Sequence, residues 1–110
     1  MVPPILHDAL VDYRGRLLRE LPGRVERVVL FGSWARGEAH EDSDVDVLVL
    51  IKGATSAERL WAVEIGAEVG FDHQILIEPV VLSSQQWDEL ERRERAFVID
   101  VTRAGAEVHA

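Results

Sequence analysis

Two aspartates one residue apart, Asp44 and Asp46, and an upstream glycine–serine pair, Gly32 and Ser33, are the residues of this sequence whose types and spacing could do chemistry. In an extended strand, residues i and i+2 project to one side, about 6.5–7 Å apart. Asp44-Val45-Asp46 therefore turns both carboxylates toward one cleft while Val45 and Val47 enter the core. Such a pair can span two divalent ions about 3.5–4 Å apart. Gly32-Ser33 ends the apolar run Val28-Val29-Leu30-Phe31, where backbone N–H groups and the serine hydroxyl can take phosphate oxygens. Alone, an Asp-x-Asp is commonly a solvated pair at a strand entrance, and a Gly-Ser is commonly a turn. Asp46, however, lies in a run otherwise apolar from residue 45 to 51, and aspartate is disfavoured inside strands. A cation would stabilise its charge. The two halves together point to metal-assisted chemistry on a nucleoside triphosphate.

Other candidates are less specific. Arg36 can pair with a phosphate or, equally well, with Glu38, Glu41 or Asp42. Trp34 can stack on a base, although packing the turn onto a sheet is the commoner role for such a residue. His40 falls in a polar loop, and His7, His73 and His109 have no metal-ligand spacing. Arg92, Arg93 and Arg95 suit an acidic partner or RNA, but also an ordinary Arg/Glu-laced helix face.

Composition narrows the chemistry. The 110 residues fit a single domain, 1–110, with one core. With 47% apolar and 29% charged residues the chain reads as folded and soluble. Without cysteine, its strong metal ligands are Asp, Glu and His, which favours a hard cation such as Mg²⁺. A net charge of −8 argues against strong non-specific nucleic-acid binding and for a small anionic substrate held with metal, or a basic partner protein. No apolar run approaches the roughly 20 residues of a membrane span. Pro3, Pro4, His7 and Asp8 do not read as a signal peptide, so a cytoplasmic location is expected.

The elements that must position these groups follow from periodicity. Residues 5–21 carry Leu6, Leu10, Tyr13, Leu17 and Leu21 at helical spacing, ended by Pro22-Gly23. Residues 25–31 and 45–51 read as buried strands joined by a short polar link, which favours an antiparallel pair. Thr55-x-x-Glu58 opens a helix with Leu60, Trp61, Ile65 and Val69 on its apolar face, and Gly70 is expected to close it. This helix can serve as the crossover to a parallel third strand over residues 73–82, where Pro79 implies an edge strand or a bulge. Ser83-x-x-Gln86 opens a last helical region, with a break expected near Arg92, Arg93 and Arg95 and a stop at Gly105. Residues 106–110 are expected to be a short extended tail. The resulting fold class is α/β (α+β), a small mixed sheet of three main strands covered by helices.

Gly32-Ser33-x-Ala35-Arg36-Gly37 followed by Ser43-Asp44-x-Asp46 resembles the signature of the DNA polymerase β-like nucleotidyltransferase superfamily, in particular its minimal nucleotidyltransferase members. The resemblance implies the nucleotidyltransferase fold and transfer of a nucleoside monophosphate, usually AMP from ATP, to a hydroxyl with release of pyrophosphate. Asp44 and Asp46 would hold two Mg²⁺ ions, Gly32 and Ser33 would anchor the outer phosphates, and Arg36 would assist. The family also asks for a third carboxylate on the strand after the crossover helix. Glu78 is the acid within that strand, with Asp72 at its entrance as the fallback.

Minimal members often pair with a helical HEPN protein, a toxin-like ribonuclease, and act as antitoxin by adding AMP to its tyrosine. An alternative is a catalytically weak or inactive module that neutralises its partner by complex formation alone. Apolar surface on the terminal helices is also compatible with a homo-oligomer.

Overall fold

The computed structural model describes residues 2–40 and 42–109. Its elements run α1 (Pro4–Glu20), β1 (Val25–Phe31), α2 (Ser33–Arg36), β2 (Val45–Ile51), α3 (Ser56–His73), β3 (Ile77–Ser83), α4 (Ser84–Arg93), α5 (Arg95–Ala104) and β4 (Ala106–Glu107). The sheet order is β3-β2-β1-β4, so β1 and β2 are the interior strands. β1 is antiparallel to both β2 and β4, and β2 is parallel to β3. The mixed sheet expected from the short first link and the long helical crossover is the one observed.

Alternation along the interior strands divides the core in two. Val28, Leu30, Val45, Val47, Val49 and Ile51 face α1 and α3, where they meet Leu10, Tyr13, Leu17 and Val69. Val29, Phe31, Leu48 and Leu50 face Trp87, Val98 and Val101 of α4 and α5. Each such side chain contributes about 1.5–3 kcal/mol when fully buried. These strands are therefore the best-anchored part of the molecule. Asp46 has the parity of Leu48 and Leu50, which places it on the α4–α5 side of the sheet.

Both capping boxes form. Thr55 Oγ1 accepts from Glu58 N while Glu58 caps Thr55 N, and Ser83 and Gln86 do the same for α4. Pro79 sits in the edge strand β3, opposite Val47. Among the described residues no helix is long and apolar enough to cross a membrane.

Four expectations are corrected. Gly70 does not end α3, which continues to His73. It is a packing glycine: a Cβ there would lie 2.6 Å from the Ile75 carbonyl oxygen. The helix stops instead at Gln74, in the left-handed region (φ 59°, ψ 41°), with Ile75 N donating to Gly70 O at 2.9 Å and Gln74 N to Phe71 O at 3.3 Å. β3 accordingly begins at Ile77 rather than at residue 73, and Leu60 is exposed rather than buried. The expected tail supplies a fourth strand, with Ala106 opposite Leu30 and Glu107 opposite Val29. The expected helical break is present at Glu94, between α4 and α5 (φ −128°, ψ 62°).

Candidate active site

The antiparallel register places Phe31, the last residue of β1, opposite Asp46. The next residue, Gly32, has φ 74° and ψ −153°, a region essentially restricted to glycine. A Cβ on Gly32 would overlap the Asp46 carboxylate and lie 3.1 Å from its Cγ. The turn backbone thus lies directly against the acid. From there Ser33–Arg36 forms the short helix α2, with Arg36 N donating to Gly32 O at 3.1 Å and Glu38 N to Ser33 O at 3.0 Å. The first N–H groups of such a turn have no acceptor within it. The Ser33 hydroxyl has no hydrogen-bond partner among the described residues.

The loop that returns the chain to Asp44 is fixed on both sides. Trp34 Nε1 donates to Ser43 O at 3.1 Å, and Ser43 Oγ accepts from His40 N at 3.0 Å. Val45 N donates to Leu76 O at 2.8 Å. Trp34 packs its ring against the α1–α3 core, which is the packing role weighed for it above. His40 contributes backbone groups to the loop.

Asp44, Asp46 and Glu78 are electrostatic neighbours. Asp46 and Glu78 pair across β2 and β3. Burial first, then the charge of Asp44, push the Asp46 carboxyl above the ordinary carboxylate range, with Arg36 pulling the other way. Glu78 is also pushed up, first by the charge of Asp44, then by a hydrogen bond with it, and further by burial and Asp46. Like charges that raise one another's pKa make a site that gains from a cation. The all-oxygen donor set suits a hard one such as Mg²⁺. Among the described residues, no group of three Asp, Glu or His side chains is arranged to hold a single ion.

Arg36 is held at the rim. Its Nε bonds Glu38 Oε1 at 2.9 Å and its Nη1 reaches Asp100 Oδ2 of α5 at 3.4 Å. Of the partners weighed from sequence, Glu38 is the one observed, and Glu41 lies outside the described residues. Asp100 was missed, since nothing local connects residues 64 positions apart. Phe97 of α5 adds an edge-to-face contact on Phe31, with ring centroids 5.5 Å apart.

Asp72, the fallback for the third carboxylate, is not at a strand entrance. It lies in α3 and bonds Arg16 Nη2 at 2.8 Å, in a network where Asp12 also holds Arg16 and His73. Extension of α3 past Gly70 carries it into that network.

A family model described as a nucleotidyltransferase domain matches residues 12–109. A Methanocaldococcus jannaschii protein provisionally named a protein adenylyltransferase is 35% identical over 102 residues, covering 92% of this chain and 96% of its own length. A second protein of that organism, provisionally named in the same way, is 38% identical over 42 residues, 38% of this chain and 42% of its own. Among solved structures, a chain of a toxin–antitoxin complex crystallised with AMP-PNP superposes with a TM-score of 0.60 at 20% identity, over 91% of this chain and 73% of that one. At that identity the likeness is one of fold.

Proposed function

The chain belongs to the nucleotidyltransferase domain family, and from that premise we propose that it transfers AMP from ATP to a hydroxyl of a protein acceptor. The observation that carries this reading is the close approach of the Gly32 backbone to the Asp46 carboxylate, which joins the glycine–serine turn to the acid cluster. The provisional name of the M. jannaschii relative supports the choice of AMP and of a protein acceptor.

In this reading Asp44, Asp46 and Glu78 would hold two Mg²⁺ ions. When bound, these ions neutralise the triphosphate and lower the pKa of the acceptor hydroxyl. Gly32 and Ser33 anchor the outer phosphates through backbone N–H groups and the serine hydroxyl. Arg36, released from Glu38 or Asp100, supports a phosphate oxygen. The acceptor oxygen attacks the α-phosphorus. A new oxygen–phosphorus bond forms as the bond to the bridging oxygen of the β-phosphate breaks, and pyrophosphate leaves. The hydroxyl proton passes to an acid of the cluster or to water. A tyrosine of a HEPN-type helical partner is the acceptor that the family resemblance favours, and the toxin–antitoxin origin of the structural neighbour supports a protein partner.

The test is incubation with Mg²⁺ and ATP labelled at the α-phosphate, alone and with any co-purifying protein. Protein-bound label with equimolar pyrophosphate is expected, and both are lost in Asp46→Asn. Transfer from γ-labelled ATP, or no nucleotide binding at all, would overturn the reading.

A second reading rests on the exposure of Glu78 and on the absence, among the described residues, of a three-acid group around one ion. The chain then neutralises a partner by complex formation without transfer. Neutralisation that survives Asp46→Asn would favour it.

A further inference from the structure

A groove of about 940 Å³ lies between the start of α1, the end of α3 and the loop before β2, and the acid cluster is not part of its lining. Ile5, Phe71 and Leu76 line it and are 56%, 86% and 59% exposed. So large an apolar surface in water gains by being covered. Ser43 and Val45, the two neighbours of Asp44, also line the groove. Asp44 itself does not line the groove, and its charge acts on Asp46 and Glu78 instead. The groove and the acid cluster therefore share one stretch of backbone.

Charge selects the occupant. Among the described residues the groove's ionisable lining is Asp42 and Asp72, with no lysine, arginine or histidine, although Arg16 holds Asp72 from just outside. A triphosphate would find no cationic partner there. An anionic membrane surface would be repelled, and two copies of a chain of net charge −8 would approach against like charge. The features that fit are apolar anchors for Ile5, Phe71 and Leu76, and a basic flank for Asp42, since Asp72 already bonds Arg16.

We propose that this groove docks the acceptor protein through a segment with apolar or aromatic anchors flanked by lysine or arginine. The proposal rests on the transferase reading above and supplies the surface that reading lacks. Anchoring a segment beside Ser43 and Val45 holds a nearby hydroxyl at the edge carrying the acids, so that its encounter with the nucleotide becomes effectively intramolecular.

The test titrates the protein into a fluorescent peptide with leucine, tyrosine and phenylalanine anchors flanked by lysines, and into its glutamate-flanked counterpart. ATP–Mg²⁺ binding is followed separately by calorimetry, and mass by sedimentation. The lysine peptide is expected to bind about tenfold or more tighter than the other. Phe71→Ser and Leu76→Ser should each weaken it about tenfold while leaving nucleotide affinity unchanged. Both side chains are exposed, so their replacement leaves the core intact. Asp42→Asn should narrow the preference between the peptides. Equal affinity for the two peptides, no peptide binding, or unchanged binding in both serine variants would overturn the proposal. So would a dimer that dissociates on Phe71→Ser, which assigns the groove to a second copy. Wild-type protein that binds no ATP sinks the transferase reading and the acceptor assignment with it. Intact ATP binding with lost peptide discrimination sinks the groove alone.

Discussion

Asp46 and Glu78 stand opposite one another in the parallel register of β2 and β3, and both are pushed toward protonation, Asp46 first by burial and then by Asp44, Glu78 first by the charge of Asp44. A carboxyl whose folded-state pKa is raised opposes folding at neutral pH, because the unfolded chain ionises it more freely. Asp46→Asn should therefore keep or raise the thermal midpoint while lowering AMP transfer by about a hundredfold or more. Glu78→Gln, at the exposed edge, should cost about ten- to a hundredfold in transfer. Pyrophosphate release and a melting curve on each variant check both statements.

Gly32→Ala combines a disallowed backbone with a collision against Asp46. The backbone alone should cost about 1–3 kcal/mol. Displacement of the carboxylate should also weaken nucleotide binding more than Ser33→Ala does. Urea denaturation and calorimetry with ATP–Mg²⁺ separate the two effects.

Arg24 bonds both oxygens of Glu58, tying the start of β1 to the first turn of α3, and donates to the Lys52 and Gly53 carbonyls. The Arg24 hydrogen bond first, then the Thr55 backbone N–H, hold Glu58 down to about 2 from an ordinary 4.5. A depressed folded-state pKa contributes stability that is present in full above the unfolded value and is lost as pH falls through the folded one. Glu58→Gln should flatten the acid limb of the stability profile between about pH 4.5 and 2, with a smaller change in its slope near neutrality. Urea midpoints across that range give the answer.

Tyr13 is buried between α1 and α3 and donates its hydroxyl to Ala62 O at 2.7 Å. Burial pushes the phenol up, so it stays protonated. Ala62 O is also positioned to accept within its own helix, so Tyr13→Phe should cost only about 1 kcal/mol. Tyr13→Ala, which also empties the space of the ring, should cost about 3–5 kcal/mol. Chemical denaturation of the pair measures the difference.

The placement of the candidate site's central residues was legible because its signals are local. Alternation fixes the side on which Asp44 and Asp46 lie, and the short link from Gly37 fixes the antiparallel register that brings Gly32 to them. What stayed hidden depends on distant partners or on an unusual residue in a familiar role. Gln74 takes the left-handed position usually given to glycine, so α3 was cut short and Asp72 was drawn toward the site. Ala106 and Glu107 carry no β-branched signal, and they pair only because β1 offers a free edge. Asp100 meets Arg36 through the return of α5 across the sheet.

Gly32, Asp44 and Asp46 hang on β1 and β2, the two strands flanked on both sides by other strands. Backbone amides in such strands exchange with solvent only through near-global opening. The hairpin that carries the candidate site therefore has no cheap partial melting of its own, and it persists for as long as the fold does. Any physiological control over it must act by covering the site or by withholding its substrates.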